Sequence, residues 1–300
     1  MNLAKHLDIE IVNCDSKQLH RGLNIGTAKP LPEWRQRVPH HLFDVIAPDE
    51  YYSAGRYMAD GRRLCRNITN RGRVPVVVGG TGLYLQALLQ GVFEGPGRSG
   101  DLRERLGRIS AREGRPFLHR LLTRVDPEAA THIQPTDRIR VIRALEVYFT
   151  TGEPISWLQT QQQPLLGFSV LKVGLTMGRQ RLYDRIDQRV ESMFQEGLVE
   201  EVQQLLQSGY SPDCKGFEAL GYRHVVAYLQ GQIDLRTAIK RTQQDSRRYA
   251  KRQLTWFRRE KEIHWIHGSG DETEVLEQLL KIFTEAGGRL PSARKSLEGF

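Results

Sequence analysis

The strongest constraint on the fold is a short apolar run that ends in glycines. Val74–Val78 contains four valines, and Gly79 and Gly80 follow before a helical pattern starts at Gly82. A run of this kind is typical of a strand that is buried on both faces of a parallel sheet. Residues 9–14 form a second such run, and helical patterns lie between the strands. This alternation predicts an α/β fold with a mostly parallel sheet flanked by helices.

A long segment without strand patterns interrupts this alternation. Further strands are predicted at residues 41–46, 171–177 and 263–266. From about residue 94 to residue 164 the pattern is helical, and Asp126 followed by Pro127 marks one helix start. The sequence therefore predicts two domains. Residues 1–93 and 166–300 form the α/β core domain, and residues 94–165 form a small all-helical insertion domain.

Cysteine and hydrophobic content exclude several classes of protein. The three cysteines, Cys14, Cys65 and Cys214, are too few and too scattered for a disulfide framework or a Cys-rich zinc site. The chain is 39% hydrophobic, and no stretch approaches the ~20 consecutive apolar residues that cross a bilayer. We therefore expect a cytoplasmic protein without a membrane segment.

Positive charge is concentrated in residues 236–261. The whole chain has a formal net charge of +9, and this segment alone contains ten basic and two acidic residues. A localised cationic helix suits a polyanion-binding surface, because neutralised phosphates release condensed counterions. A solvated helix face is the alternative, and charge alone does not distinguish RNA, DNA, a diphosphate or a membrane surface.

Two strand ends carry candidate site residues. In open parallel sheets, ligands bind beyond the carboxyl ends of the strands. Asp15 follows the first predicted strand, where a carboxylate either accepts a proton or caps the following turn. Gly79, Gly80 and Thr81 follow the Val74–Val78 strand, where glycines either let phosphates approach the backbone or form a tight turn. Both alternatives stay open at each strand end.

These strand ends belong to an ordered series of short segments along the chain. The series comprises residues 15–18, 26–30, 38–42, 52–55, 79–84, 143–147, 219–223 and 249–258. Taken together, these segments resemble the tRNA dimethylallyltransferase (isopentenyltransferase) family. An ordered series that spans most of the chain is far more specific than any one of its segments.

The resemblance implies a P-loop-NTPase-like α/β fold and a prenyl-transfer activity. The expected reaction moves a dimethylallyl group from dimethylallyl diphosphate to N6 of the adenine at position 37 of tRNA, with Mg²⁺ as the cofactor. The expected partners are the tRNA anticodon stem-loop and dimethylallyl diphosphate, and the protein is expected to be a monomer. Two other functions stay open: a catalytically inactive tRNA-binding protein, and a prenyltransferase for free adenine nucleotides.

The resemblance also assigns roles to individual residues. Asp15 is expected to be the general base, with Thr81 acting beside it, and Gly79, Gly80 and Arg185 are expected to bind the diphosphate. No metal-ligand set is identified. The residues expected to contact tRNA are Asp15, Ser16, Lys17, Gln18, Thr81, Arg103, Ile139, Arg140, Val141, Ile142, Arg143, Glu218, Gly221, Tyr222, Arg223, Lys251, Arg252 and Arg258.

One element of the family pattern is missing. The family carries a Gly-rich P-loop ahead of the segment that matches Asp15, and this sequence contains no Gly-x-x-x-x-Gly-Lys-Ser/Thr pattern. The resemblance therefore implies that the loop that cradles the diphosphate, with its lysine and its Mg²⁺-binding hydroxyl, is absent. Three explanations stay open: a start assigned too far downstream, a truncated relic, or an RNA-binding protein that has lost its chemistry.

Overall fold

The computed structural model of the protein describes residues 2–93 and 95–288. The chain folds into two compact units. The first comprises Met1–Leu85 and Gly167–Phe300, and the second comprises Gln86–Leu166. The insertion that the sequence predicts at residues 94–165 falls within the second unit.

Strands and helices alternate along the first unit, and helices fill the second. The strands are β1 Ile9–Asn13, β2 His40–His41, β3 Val74–Val78, β4 Lys172–Thr176 and β5 Ile263–His267. The α-helices are α1 Pro32–Arg37, α2 Ala54–Asn70, α3 Gly82–Gln90, α4 Gly100–Glu113, α5 Arg115–Val125, α6 Pro127–His132, α7 Arg138–Thr151, α8 Ile155–Thr160, α9 Arg179–Gln195, α10 Leu198–Gln207, α11 Tyr222–Leu229, α12 Leu235–Phe257 and α13 Thr273–Glu285. Two short 3₁₀ helices span Asn2–Lys5 and Lys215–Glu218.

The strands of the first unit pair in parallel. β1 lies between β2 and β3, with Ile11 opposite His40 on one side and Ile9 opposite Val74 on the other. β4 pairs with β5, starting with Lys172 opposite Ile263. Because parallel strands need crossover connections, helices lie between them in the chain. The predicted α/β fold, a small parallel sheet flanked by helices, is confirmed.

The sheet has two separate parts. Among the described residues, β3 pairs with β1 alone and β4 pairs with β5 alone. Apolar side chains on these strands stay in contact with solvent: Val78 is 50% exposed, Leu175 48% and Trp265 40%. Both parts therefore carry a strand edge that ends next to exposed apolar surface.

A buried carboxylate ties the three-stranded part together. Glu10, in β1, is 2% exposed and accepts hydrogen bonds from Arg71 at 2.7 Å and from Arg73 at 3.1 Å. Its Oε2 also lies 2.6 Å from Nε2 of His41, in β2. Burial raises the pKa of Glu10, but the bonds from Arg71, His41 and Arg73 outweigh it and lower that pKa to about 2. The charged carboxylate thus holds β1, β2 and the chain entering β3 in register.

A second polar contact fixes the long loop that follows β1. Tyr222, at the start of α11, is fully buried, and its hydroxyl donates to Oε1 of Glu201 at 2.5 Å. The other carboxylate oxygen of Glu201 accepts from the backbone N–H groups of Asn24 and Ile25, both at 2.9 Å. At Gly26 a Cβ would lie 2.4 Å from the Tyr222 ring, so only glycine fits there.

The second unit is built around α7. Leu118, Leu122 and Leu145 are buried in its core. Glu146, fully buried beside them, accepts two hydrogen bonds from Arg103 at 2.7 and 2.8 Å and one from Arg143 at 2.7 Å. The bonds from Arg103 join α4 to α7, and the bond from Arg143 lies within α7.

Two further observations bear on the class of protein. None of the described helices combines the length and the apolar character that a membrane crossing needs. Cys14, Cys65 and Cys214 are all buried and form no disulfide.

Candidate active site

Asp15 lies just beyond the carboxyl end of β1 and caps the turn that follows. Its Oδ1 accepts from the backbone N–H of Lys17 at 2.8 Å and from that of Gln18 at 3.4 Å. Asn13, which is 1% exposed, holds the segment from behind, because its Oδ1 accepts from Asp15 N at 3.0 Å. None of the described residues donates a hydrogen bond to Oδ2 of Asp15. One oxygen therefore orients the carboxylate, and the other is available to a substrate.

Thr81 joins the carboxyl ends of β1 and β3. Its backbone N–H donates to Cys14 O at 3.1 Å, and its Oγ1 accepts from Ser16 N at 3.0 Å. These two bonds lie on either side of Asp15 in the chain. The structure thus brings together Asp15 and Thr81, which the sequence assigned to one site from two separate strand ends.

The glycines around Thr81 are explained by close packing within the protein. A Cβ on Gly79 would lie 2.3 Å from the carbonyl group of Cys14. A Cβ on Gly80 would lie 1.8 Å from Nε2 of Gln253, and one on Gly82 would lie 2.2 Å from Nε1 of Trp256. The space that a side chain would fill is therefore occupied by β1 and α12. The role of Gly79 and Gly80 in binding diphosphate stays a prediction.

One face of α12 supports the glycine loop. Gln253 donates from Nε2 to Gly80 O at 3.0 Å, and Trp256 packs on Gly82. Tyr249 lies one turn before Gln253 on the same face. Burial raises the pKa of the Tyr249 phenol and the Asp15 carboxylate raises it further, while the side chains of Gln253 and Thr81 act in the opposite direction.

Sequence analysis placed Tyr249, Gln253 and Trp256 in a segment that matches the family, but it did not predict that they support the glycine loop. Their spacing of i, i+4 and i+7 would have placed them on one helix face. Nothing in the sequence, however, shows that this face packs against the Gly79–Gly82 turn, because that contact joins distant parts of the chain.

Lys17 and Gln18 are fixed by local contacts. Lys17 Nζ donates to Lys215 O at 3.0 Å and lies 3.9 Å from Oε2 of Glu218. Burial lowers the pKa of Lys17, whereas Glu218 and Asp15 raise it. Gln18 donates from Nε2 to Thr27 O at 2.9 Å. Glu218, expected to contact tRNA, thus pairs with Lys17, next to Asp15.

Two arginines of α9 differ in their relation to Asp15. Arg185, expected to bind diphosphate, lies 3.9 Å from the carboxylate of Asp271. For Arg189, one turn later, the charged group that acts on its pKa is Asp15: desolvation lowers that pKa and the carboxylate raises it. The charges of Arg189 and Asp15 therefore interact, and sequence analysis did not name Arg189.

Three residues expected to contact tRNA are core residues. Val141 is 1% exposed and Ile142 is 8% exposed, and both pack in the core of the second unit. Tyr222 is fully buried, as described above. These side chains are apolar or internally bonded and are buried, and tRNA contact at these positions stays a prediction. Gly221, next to Tyr222 in the chain, is also buried and has φ 90°, which glycine adopts readily.

The other residues expected to contact tRNA fall into two groups. Arg103 and Arg143 are bonded to Glu146 inside the second unit. The exposed group comprises Ile139, Arg140, Arg223, Lys251, Arg252 and Arg258. RNA contact by either group stays a prediction.

The described residues provide no ready-made metal cage. Within residues 2–93 and 95–288, no three His, Cys, Asp or Glu side chains converge on a common point. Mg²⁺ is often bound through one carboxylate and the phosphates of a substrate, so this donor set is compatible with an ion that arrives with a diphosphate.

The chain has an open parallel sheet, and Asp15 and Thr81 lie beyond the carboxyl ends of β1 and β3. In open α/β proteins, ligands bind at this position. A family model described as IPP transferase matches residues 18–260. The chain belongs to the IPP transferase family.

Similar proteins agree with this membership. The tRNA dimethylallyltransferase of Koribacter versatilis is 47% identical over 281 residues, covering 93% of this chain and 91% of that protein. The tRNA dimethylallyltransferase of Geobacter sulfurreducens is 43% identical over 287 residues, covering 94% of this chain and 91% of that protein.

Solved structures show the same architecture. The full-length tRNA isopentenylpyrophosphate transferase of Bacillus halodurans is 38% identical with a TM-score of 0.66, covering 94% of this chain and 90% of that one. A eukaryotic dimethylallyltransferase acting on tRNA has a TM-score of 0.76 at 24% identity, covering 96% of this chain and 76% of that one, a likeness of fold alone.

Proposed function

We propose that the protein is a tRNA dimethylallyltransferase. It transfers a dimethylallyl group from dimethylallyl diphosphate to N6 of the adenine at position 37 of tRNA, giving N6-isopentenyladenosine and diphosphate. The observation that carries the proposal is the Asp15 carboxylate, which is held through Oδ1 while Oδ2 accepts no bond from a described residue. Membership of the IPP transferase family and the names of the similar proteins support it.

The proposed reaction needs a proton acceptor beside adenine N6. The N6 lone pair is delocalised into the ring, so the amine is a weak nucleophile. In the transfer, the bond from the dimethylallyl C1 to the diphosphate oxygen breaks and a bond from C1 to N6 forms. Asp15 takes the proton that N6 loses, which is general-base catalysis by a positioned carboxylate. Thr81 lies beside it, with its Oγ1 already accepting from Ser16 N.

Diphosphate leaves readily only when its developing charge is neutralised. Arg189 is the candidate cation on the α9 side of Asp15, and Lys17 is a second one on the β1 side. Mg²⁺ is the proposed cofactor, and an ion that arrives with the diphosphate would help to neutralise its developing charge.

The proposed macromolecular partner is the tRNA anticodon stem-loop. The target adenine must leave the base stack to reach Asp15, and proteins that extract a base grip the flanking backbone. Lys251, Arg252 and Arg258 are exposed on or next to the helix whose other face supports the Thr81 loop. We also propose that the protein is a cytoplasmic monomer, since its buried free cysteines suit a reducing compartment.

The test is a transfer assay with the wild-type chain, Asp15→Asn and Asp213→Asn. Each reaction contains dimethylallyl diphosphate, Mg²⁺ and an anticodon stem-loop with adenine at position 37, and mass spectrometry measures the RNA. Asparagine keeps the Oδ1 acceptor that caps the turn but cannot take a proton. We therefore expect Asp15→Asn to lose about 10²–10⁴-fold in rate while stem-loop affinity is retained. Asp213, an exposed residue, is the matched control and should behave as wild type.

Three outcomes would separate the alternatives. Binding without transfer by the wild-type chain would favour an inactive tRNA-binding protein. Prenylation of free adenine nucleotides in preference to the stem-loop would favour a nucleotide prenyltransferase. Full activity of Asp15→Asn would remove Asp15 from the role of general base.

A further inference from the structure

The carboxylate of Asp245, on α12, contacts two arginines and a histidine that lie on α11 and α12. Asp245 accepts from Arg223 Nη2, lies 2.9 Å from His224 Nε2 and accepts from Arg248 Nη1 at 3.5 Å. The Asp245 side chain is 16% exposed, whereas the side chains of Arg223 and Arg248 are 54% and 62% exposed. Each guanidinium therefore donates to Asp245 with part of its five N–H groups, and the exposed part of the group faces solvent.

Two further arginines extend this surface along α12. Arg241 and Arg252 are exposed, and helical spacing puts them on the same side of α12 as Arg248. Neither forms an ion pair with a described residue. Asp245 is also the one acidic residue in the sequence of α12. The surface thus carries four arginines and one carboxylate.

We propose that Asp245 is a positioning residue that holds Arg223 and Arg248 in fixed orientations for backbone phosphates of RNA, and that Arg241 and Arg252 complete this phosphate-binding surface. This inference rests on the proposed function, because the RNA is the tRNA substrate. It adds Arg241, Arg248 and Asp245 to the residues that the family resemblance assigns.

The chemistry favours phosphate as the partner. A guanidinium presents a planar fork of donors that matches two phosphate oxygens, and its affinity depends on the orientation of the fork. Two neighbouring arginines repel each other, and Asp245 offsets this repulsion while fixing both. Burial raises the pKa of Asp245, but the bonds from His224 and Arg223 outweigh burial and lower that pKa below its ordinary value. The carboxylate is therefore charged at neutral pH.

The sign of one substitution separates this role from simple charge. Asp245→Asn removes a negative charge from a cationic surface, so charge alone predicts tighter RNA binding. If Asp245 positions Arg223 and Arg248, the same change weakens binding of the anticodon stem-loop by about threefold to tenfold. Fluorescence anisotropy without dimethylallyl diphosphate measures this affinity. Glu277→Gln, an equal change of charge at an exposed site of α13, is the control and should leave affinity unchanged.

A double-mutant cycle tests whether Asp245 acts through its arginine. Arg248→Ala alone should lower the dependence of log affinity on log salt by about 0.7–0.9, the loss of one phosphate contact. Adding Asp245→Asn to Arg248→Ala should then weaken binding less than Asp245→Asn does alone, because the partner is already gone. Arg248 is exposed, so this arm does not depend on whether Asp245→Asn folds.

The outcomes are distinct. Weaker binding by Asp245→Asn with non-additivity in the cycle supports the proposal. Equal or tighter binding by Asp245→Asn, or an unchanged salt dependence in Arg248→Ala, overturns it while the wild-type chain still binds and prenylates the stem-loop. A wild-type chain that does not bind the stem-loop overturns the proposed function itself.

Discussion

Replacing Glu146 by glutamine tests what holds the helical unit together. Glu146 is fully buried, and Arg103, Arg143 and the backbone N–H of Ser99 all donate to it. Glutamine has almost the same shape but carries no charge, and its NH₂ group replaces one acceptor with a donor. The change therefore removes the ion pairs without opening a cavity.

The magnitude follows from the pKa of the carboxyl. Burial raises the pKa of Glu146, but the bonds from Arg103, Arg143 and Ser99 outweigh it, so the pKa falls from its ordinary 4.5 to about 2. At about 1.4 kcal/mol per pKa unit this difference corresponds to about 3 kcal/mol. Both arginines remain partly exposed, so solvent screening reduces the expected loss of unfolding free energy to about 2 kcal/mol at neutral pH.

The pH dependence gives the loss a signature. The folded-state pKa lies below the unfolded value, so the stabilisation is complete above pH 4.5 and disappears as the pH falls toward 2. The wild-type chain and Glu146→Gln should therefore differ at neutral pH and converge in acid. Hydrogen exchange of the α4 and α7 amides measures the opening free energy of this unit at each pH.

Glu153→Gln, an exposed change in the same unit, should not alter that exchange. Equal protection of Glu146→Gln and wild type at neutral pH would refute the reasoning, as would a difference that persists below pH 2. Either result would favour RNA contact over structural support as the main role of Arg103 and Arg143.

Three other substitutions probe contacts in the first unit. Gly80→Ala should displace Gln253 and lower the transfer rate tenfold or more in the stem-loop assay, because its Cβ would lie 1.8 Å from Gln253 Nε2. Tyr222→Phe should lower the urea-unfolding free energy by about 1–2 kcal/mol, since Glu201 loses the phenol hydrogen bond. Glu10→Gln should lower that free energy at neutral pH and match wild type near pH 2, because the pKa of Glu10 is lowered to about 2. An unchanged rate or unfolding midpoint would contradict the corresponding contact.

Much of the fold was predictable because strand patterns are local. The run at Val74–Val78 is a strand as predicted. The strand predicted at residues 41–46 is wrong, because the strand itself spans only His40–His41 and Ile46 forms an isolated bridge with His20. Leu42 and Asp44 have φ of 62° and 57°, in the left-handed region, which ends extended backbone at once. An apolar pattern carries no information about the sign of φ at single residues.

The site was predictable where it depends on the general geometry of parallel sheets. Asp15 and Thr81 follow strands that prove to be neighbours, and the family resemblance had assigned both residues to one site. Gln253 was not expected, because its contact with the glycine loop depends on how a distant helix packs. Val141 and Ile142 show the converse: a segment that matches a family contains buried residues as well as exposed ones, and the sequence match alone does not separate them.

The divided sheet has a consequence for how the protein behaves in concentrated solution. The described side of β3 that faces away from β1 presents unpaired peptide groups beside Val78, and an unpaired strand next to apolar surface is a template for pairing with another molecule. We expect any association at this edge to grow with protein concentration, because backbone bonds and apolar contact would drive it. At high ionic strength salt screens the repulsion that the net charge of +9 causes, so we expect the exposed strand edge to matter more for solubility there.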